Sequence, residues 1–96
     1  MARLVRDKIP EIIRRDGKKA KTRTATKKEF WGKLKEKLKE EVNDFVKTEN
    51  KEELVDIYEV LNEIYKVMGL SKKKLAEIRK IKVRKKGKYK NKIILE

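Results

Sequence analysis

The chain is 96 residues long, 48% charged and 38% hydrophobic, with 30 Lys and Arg against 16 Asp and Glu and a net charge of +14. That length fits a single domain with a modest core, of a size that often gains stability by associating with copies of itself. With no Cys and no His, disulfides, thiolate or imidazole metal ligands and Ser-His or Cys-His catalysis are excluded, which leaves carboxylates for metal chemistry.

Leu4, Val5, Ile9, Ile12 and Ile13 form a short apolar pattern. Leu4 and Val5 read as an extended start, and Pro10 suits the first turn of a helix that runs to about Asp16 and is closed by Gly17. Residues 18–26 carry Thr22, Thr24 and Thr26 without an apolar period and read as a loop. Thr26 with Glu29 three residues on forms a capping box, in which hydroxyl and carboxylate satisfy orphan N–H groups at a helix start. Phe30, Leu34, Leu38, Val42 and Phe45 then recur at spacings of three and four, predicting an amphipathic helix over residues 27–47.

Thr48-Glu49-Asn50 makes a polar break. The apolar pattern resumes through Leu54, Ile57, Tyr58, Leu61, Ile64, Tyr65 and Met68, predicting a second long helix over residues 51–68 that Gly69 ends. The two helices are expected to form an antiparallel hairpin. Ser71 caps a shorter helix over about residues 72–82, with Leu75, Ile78 and Ile81 on one face. Gly87 punctuates a basic tail, and Ile93, Ile94 and Leu95 form a second short extended segment that could pair with Leu4 and Val5.

The basic excess points to a polyanionic partner, either phosphate groups or nucleic acid. A Lys/Glu-rich, Cys-free composition is equally what proteins of hot organisms favour, through ion-pair networks. No apolar run reaches the length of a signal peptide core or a membrane span, so a cytoplasmic protein with no membrane contact is expected.

At about 100° per residue, the apolar residues of the first long helix occupy an arc of roughly 120°, with Glu41 inside it and Asp44 at its edge, while Glu40 falls toward solvent. On the second helix Glu53 lies within the apolar arc and Asp56 at its border, while Glu52 and Glu59 point away. Each helix thus turns an i, i+3 acidic pair toward its partner. Four ionised carboxylates on a largely apolar interface repel one another and lose hydration, which a cation relieves. Mg²⁺ suits such an all-oxygen site. The plainer alternative is that these carboxylates pair with Lys33 or Lys37 on the helix surface.

Glu41-Val42-Asn43-Asp44 and Glu53-Leu54-Val55-Asp56 also match the paired ExxE and ExxD of a known family: the chain resembles the MazG-like all-α nucleoside triphosphate pyrophosphohydrolases, whose fold includes phosphoribosyl-ATP pyrophosphohydrolase. A small subgroup further shares segments like Leu4-Val5-Arg6-Asp7-Lys8-Ile9-Pro10-Glu11-Ile12-Ile13 and Gly87-Lys88-Tyr89-Lys90-Asn91-Lys92-Ile93-Ile94-Leu95, so the resemblance covers nearly the whole chain. Asp44 stands where the family usually has Glu, and only eight residues separate it from Glu53.

The resemblance implies one domain over residues 1–96, mainly α, in which the hairpin forms a four-helix-bundle-like dimer. It implies Mg²⁺-dependent hydrolysis of a nucleoside triphosphate to the monophosphate and pyrophosphate, with Mn²⁺ as a substitute metal. Glu41, Asp44, Glu53 and Asp56 are the expected metal ligands, and Glu40 or Glu41 the group that orients or deprotonates water. Arg6, Lys8, Arg23, Arg79 and Lys82 are the candidates for binding substrate phosphates, Arg because its guanidinium fork matches phosphate. The alternative is a basic helical nucleic-acid-binding module without catalysis, its contacts made by residues 18–28 and 80–92.

Overall fold

The computed structural model describes residues 2–96 and is all-helical, with α1 Ile9–Arg15, α2 Lys27–Thr48, α3 Lys51–Val67 and α4 Lys72–Lys86. The chain divides into two compact units, one ending at Ile64 and the other Tyr65–Glu96.

In the first unit, α1 begins on Lys8 with Pro10 in its first turn, where the missing N–H leaves no bond unmade. Gly17 takes φ 80° just past its end, a conformation that Cβ-bearing residues adopt only at a cost. The following loop is fastened to α1 by the Arg14 guanidinium, which donates to the Ala20 carbonyl at 2.7 Å.

Thr26 caps α2, its hydroxyl accepting from the Glu29 N–H at 3.2 Å. The other half of the expected capping box is replaced. The Glu29 carboxylate is held by Arg23 through two bonds of 2.6 Å; a charged two-pronged pair is stronger than a single bond to a backbone N–H.

The turn between α2 and α3 is two residues long and chemically specific. Glu49 adopts a left-handed conformation (φ 53°) with its N–H bonded to the Phe45 carbonyl. Asn50 then accepts from the Glu52 N–H through its side chain at 3.0 Å, capping α3. So short a connection folds α3 back as a hairpin with α2. Leu34, on α2, is 2% exposed and Ile64, on α3, is 8% exposed; the third buried residue among those described is Glu41.

Several apolar residues of the hairpin stay exposed: Val42, Val46, Leu54 and Tyr58. At about 100° per residue they fall on one flank of the hairpin, and Glu41, Asp44, Glu53 and Asp56 lean to the other.

In the second unit Ser71 caps α4 by accepting from the Lys74 N–H at 3.1 Å, and the helix runs to Lys86, four residues beyond the expected end. The apolar spacing stops at Val83, but Lys and Arg are good helix formers and their charge suits a helix C-terminus. Gly87, at φ 78°, ends it. No strand occurs among the described residues, so neither Leu4-Val5 nor Ile93-Ile94-Leu95 forms the expected extended pairing; Ile93, Ile94 and Leu95 are at least four-fifths exposed. No helix is long and apolar enough to cross a membrane.

Candidate metal centre

Two sets of three carboxylates come together on the hairpin, and Glu41 belongs to both. Oxygens of Glu41, Glu53 and Asp56 lie within 4.8 Å of one another, as do those of Glu40, Glu41 and Asp44. The first set joins α2 to α3, because residues three apart share a helix face and the tight turn brings the two faces together. The second follows from one turn of α2 alone. Glu41 is buried, Asp44, Glu53 and Asp56 are half-buried, and Glu40 is exposed.

Three cations compensate part of this charge. Arg3 donates to Glu40 at 2.8 Å and Arg6 to Asp56 at 2.8 Å. Lys37 reaches both Glu40, at 3.4 Å, and Glu41, at 3.5 Å. The plainer alternative is therefore realised in part, through Lys37; Lys33 instead pairs with Glu36 at 3.3 Å. Five carboxylates against Arg3, Arg6 and Lys37 leave a net charge of −2, the charge that one divalent cation neutralises. Among the described residues no salt bridge reaches Asp44 or Glu53.

The imbalance is felt at Glu53. Burial first, then the charges of Asp44, Asp56, Glu41 and Glu52, raise its carboxyl above the ordinary value. A hard cation, which takes oxygen ligands, suits this donor set.

A groove of ≈ 440 Å³ opens beside the cluster, lined by Arg6, Lys8 and Lys37 together with Glu41 and Asp56. Of the predicted phosphate-binding residues, Arg6 and Lys8 thus stand at the carboxylates. Arg23 is committed to Glu29, whose hydrogen bond and charge raise the guanidinium above its usual range and whose own carboxyl is lowered in return. Arg79 and Lys82 are exposed on α4, in the second unit.

Arg3 carries no sequence signal of its place in the site: it lies in a segment without regular structure, and its carboxylate partner Glu40 is 37 residues away. Trp31 carries the Lys35 ammonium 5.3 Å from its ring centroid, an arrangement that occupies one ring face.

No protein-family model matches the chain, and no solved structure matches it. A stretch of 42 residues is 52% identical to an uncharacterized protein of Mycolicibacterium smegmatis, covering 44% of this chain and 43% of that protein. The match therefore spans less than half the length of that relative.

Proposed function

We propose that the chain hydrolyses nucleoside triphosphates to the monophosphate and pyrophosphate with the help of a divalent cation, Mg²⁺ or Mn²⁺. The observation that carries this reading is the sharing of buried Glu41 by two carboxylate triplets beside a groove that Arg6, Lys8 and Lys37 also line. The resemblance of the paired acidic motifs and of both terminal segments to the MazG-like pyrophosphohydrolases supports it. In this reading the enzyme is cytoplasmic, and it serves nucleotide-pool control or the clearance of damaged nucleotides.

Glu41, Asp44, Glu53 and Asp56 would hold the cation, with Asp44, one methylene shorter than Glu, reaching it directly or through water. Bound there, the ion would neutralise phosphate oxygens and orient the triphosphate. Arg6 and Lys8 bind phosphate oxygens from the groove wall. Glu40 or Glu41 orients a water molecule and takes its proton as one water is added across the α–β anhydride. A P–O bond to that water forms, the bridging P–O bond breaks, and pyrophosphate departs with the bridging oxygen or the monophosphate keeps it, depending on which phosphorus is attacked.

The exposed flank of Val42, Val46, Leu54 and Tyr58 supports assembly as a dimer resembling a four-helix bundle. Single exposed apolar residues are ordinary, but a row along one flank of two helices is an association surface.

The test is pyrophosphate release from a panel of canonical, deoxy and oxidised nucleoside triphosphates, with Mg²⁺ and with chelator. Turnover is expected on at least one nucleotide and only with the metal. No release from any of them would overturn the reading.

Arg6 has a double position, bonded to Asp56 and facing the groove, and its guanidinium is expected to exchange that carboxylate for phosphate when nucleotide binds. Arg6→Gln should raise KM roughly tenfold or more, the scale of a lost charged hydrogen bond, and should tighten Mg²⁺ binding in the absence of nucleotide because Asp56 loses its competitor. Steady-state kinetics and calorimetric Mg²⁺ titration read the two effects. Unchanged KM with unchanged Mg²⁺ affinity would remove Arg6 from the site.

A further inference from the structure

The charge of the chain is unevenly distributed. Tyr65–Glu96 holds thirteen Lys and Arg against two acids, Glu77 and Glu96, a net of +11 out of the total +14. The remaining 64 residues carry seventeen cations against fourteen acids, a net of only +3.

This segregation decides between two explanations of the basic composition. Networks that stabilise a protein at high temperature need both signs close together. The first unit has them, with Arg3, Arg6, Arg15, Arg23, Lys33 and Lys37 all in ion pairs. In the second, Glu77 meets Lys74 at 3.9 Å, and two carboxylates cannot neutralise thirteen cations. Lys80 and Arg84, like Lys82 and Lys86, stand four apart on α4, where like charges destabilise a helix. An external polyanion removes that repulsion.

The helix also indicates which polyanion. Nine of the fifteen residues of α4 are Lys or Arg, and at about 100° per residue they occur all round the axis. Leu75, Ile78, Ile81 and Val83 spread over about 200°, with Lys82 and Lys86 among them, so the helix lacks the continuous apolar face that lying in a lipid interface demands. Cations on every side suit a helix with phosphates on both sides of it. A helix is about 10–12 Å across with its side chains, and the major groove of B-form DNA is about 12 Å wide with a row of phosphates on each wall. Fifteen residues span about 22 Å, enough to follow the groove past several phosphates. The major groove of A-form RNA is too narrow to admit the helix.

We infer that α4 is a DNA-binding helix that docks in the major groove of duplex DNA through backbone phosphates, without requiring a particular base sequence. The inference stands apart from the hydrolase reading, since it uses only residues of the second unit and is measured without nucleotide turnover.

The experiment is fluorescence anisotropy of the full chain with a labelled DNA duplex of about 20 bp over about 50 to 300 mM KCl, beside an RNA duplex of the same sequence and vesicles containing phosphatidylserine. Micromolar binding to DNA is expected, with log K falling against log[salt] at a slope of about −5, the value for five or six phosphates neutralised. RNA and vesicles should bind at least tenfold more weakly. The K73Q/K80Q/R84Q/K85Q variant keeps residues of good helix propensity and should lose about one unit of slope for each contact removed, with its circular dichroism unchanged. Absence of DNA binding at the lowest salt would overturn the inference. So would equal binding of RNA or vesicles by the wild-type chain, or an unaltered slope in the folded variant.

Discussion

Glu41→Gln is expected to lower the rate of pyrophosphate release by roughly 10²- to 10³-fold, the scale of one positioned electrostatic group, while leaving the fold as stable as before or more so. Both halves of that expectation come from where the residue sits. Glu41 is the member common to the two carboxylate triplets, so the amide disturbs every arrangement of ligands the hairpin can offer. It also reduces the local net charge from −2 to −1 and so weakens the attraction for a divalent ion. A residue buried for structural reasons would behave in the opposite way, with stability lost on substitution. Here the buried carboxylate faces other carboxylates, and its cation, Lys37, keeps Glu40 at 3.4 Å after the change. Relief of repulsion therefore offsets the lost ion pair. Glu36→Gln is the control, because Glu36 is exposed, lies outside both carboxylate triplets and pairs with Lys33. Its rate should equal the wild type's. Thermal melting without metal, run beside the kinetics, separates the two roles: a Glu41→Gln protein that keeps its rate, or one that melts well below the wild type, would contradict the assignment.

The acidic cluster was legible in the sequence because it depends on local geometry. Once α2 and α3 are recognised as long amphipathic helices, helical phase alone turns Glu41 and Glu53 inward and leaves Glu52 and Glu59 outside. The fold class followed from the same periodicity. What the pattern could not supply was everything that depends on the reach of a long side chain. Arg3 and Arg6 meet carboxylates 37 and 50 residues away, and no periodicity links those positions. Arg23 looked free for phosphate because the residues around it form a loop without a period; its bond to Glu29 emerges only once the loop is closed. Asn50 belongs to the polar break, yet an Asn before an acidic first turn is itself a capping signal. Apolar spacing ends α4 too early because it marks only the buried part of a helix, and α4 continues to Lys86 on propensity and charge after its apolar residues run out.

Divalent cations are expected to invert the pH dependence of stability, and Glu53 is the residue that shows it. Its folded-state carboxyl is raised above the ordinary value of 4.5 by burial first and then by Asp44, Asp56, Glu41 and Glu52. A carboxyl raised on folding is easier to protonate in the native state than in the unfolded chain. Its contribution to stability is therefore fully present below the ordinary value and is lost as the pH rises through the raised one. Without metal, the wild type should lose stability relative to Glu53→Gln between the acid range and neutrality, since the amide carries no charge to repel its neighbours. A bound divalent ion requires the ionised carboxylates, so its affinity rises over the same interval. At about a hundred times its dissociation constant it adds about 2.7 kcal/mol to the wild-type protein, which for a domain of this size raises the melting temperature by about 10 °C or more. In Glu53→Gln most of that rise should disappear while the metal-free melting temperature at neutral pH is equal to or above the wild type's. Melting curves of both proteins at acid and neutral pH, with Mg²⁺ and with chelator, give the four comparisons. A wild type whose melting temperature ignores Mg²⁺ at neutral pH would mean that the charge of −2 at the cluster is left to solvent, and the metal centre would have to be abandoned.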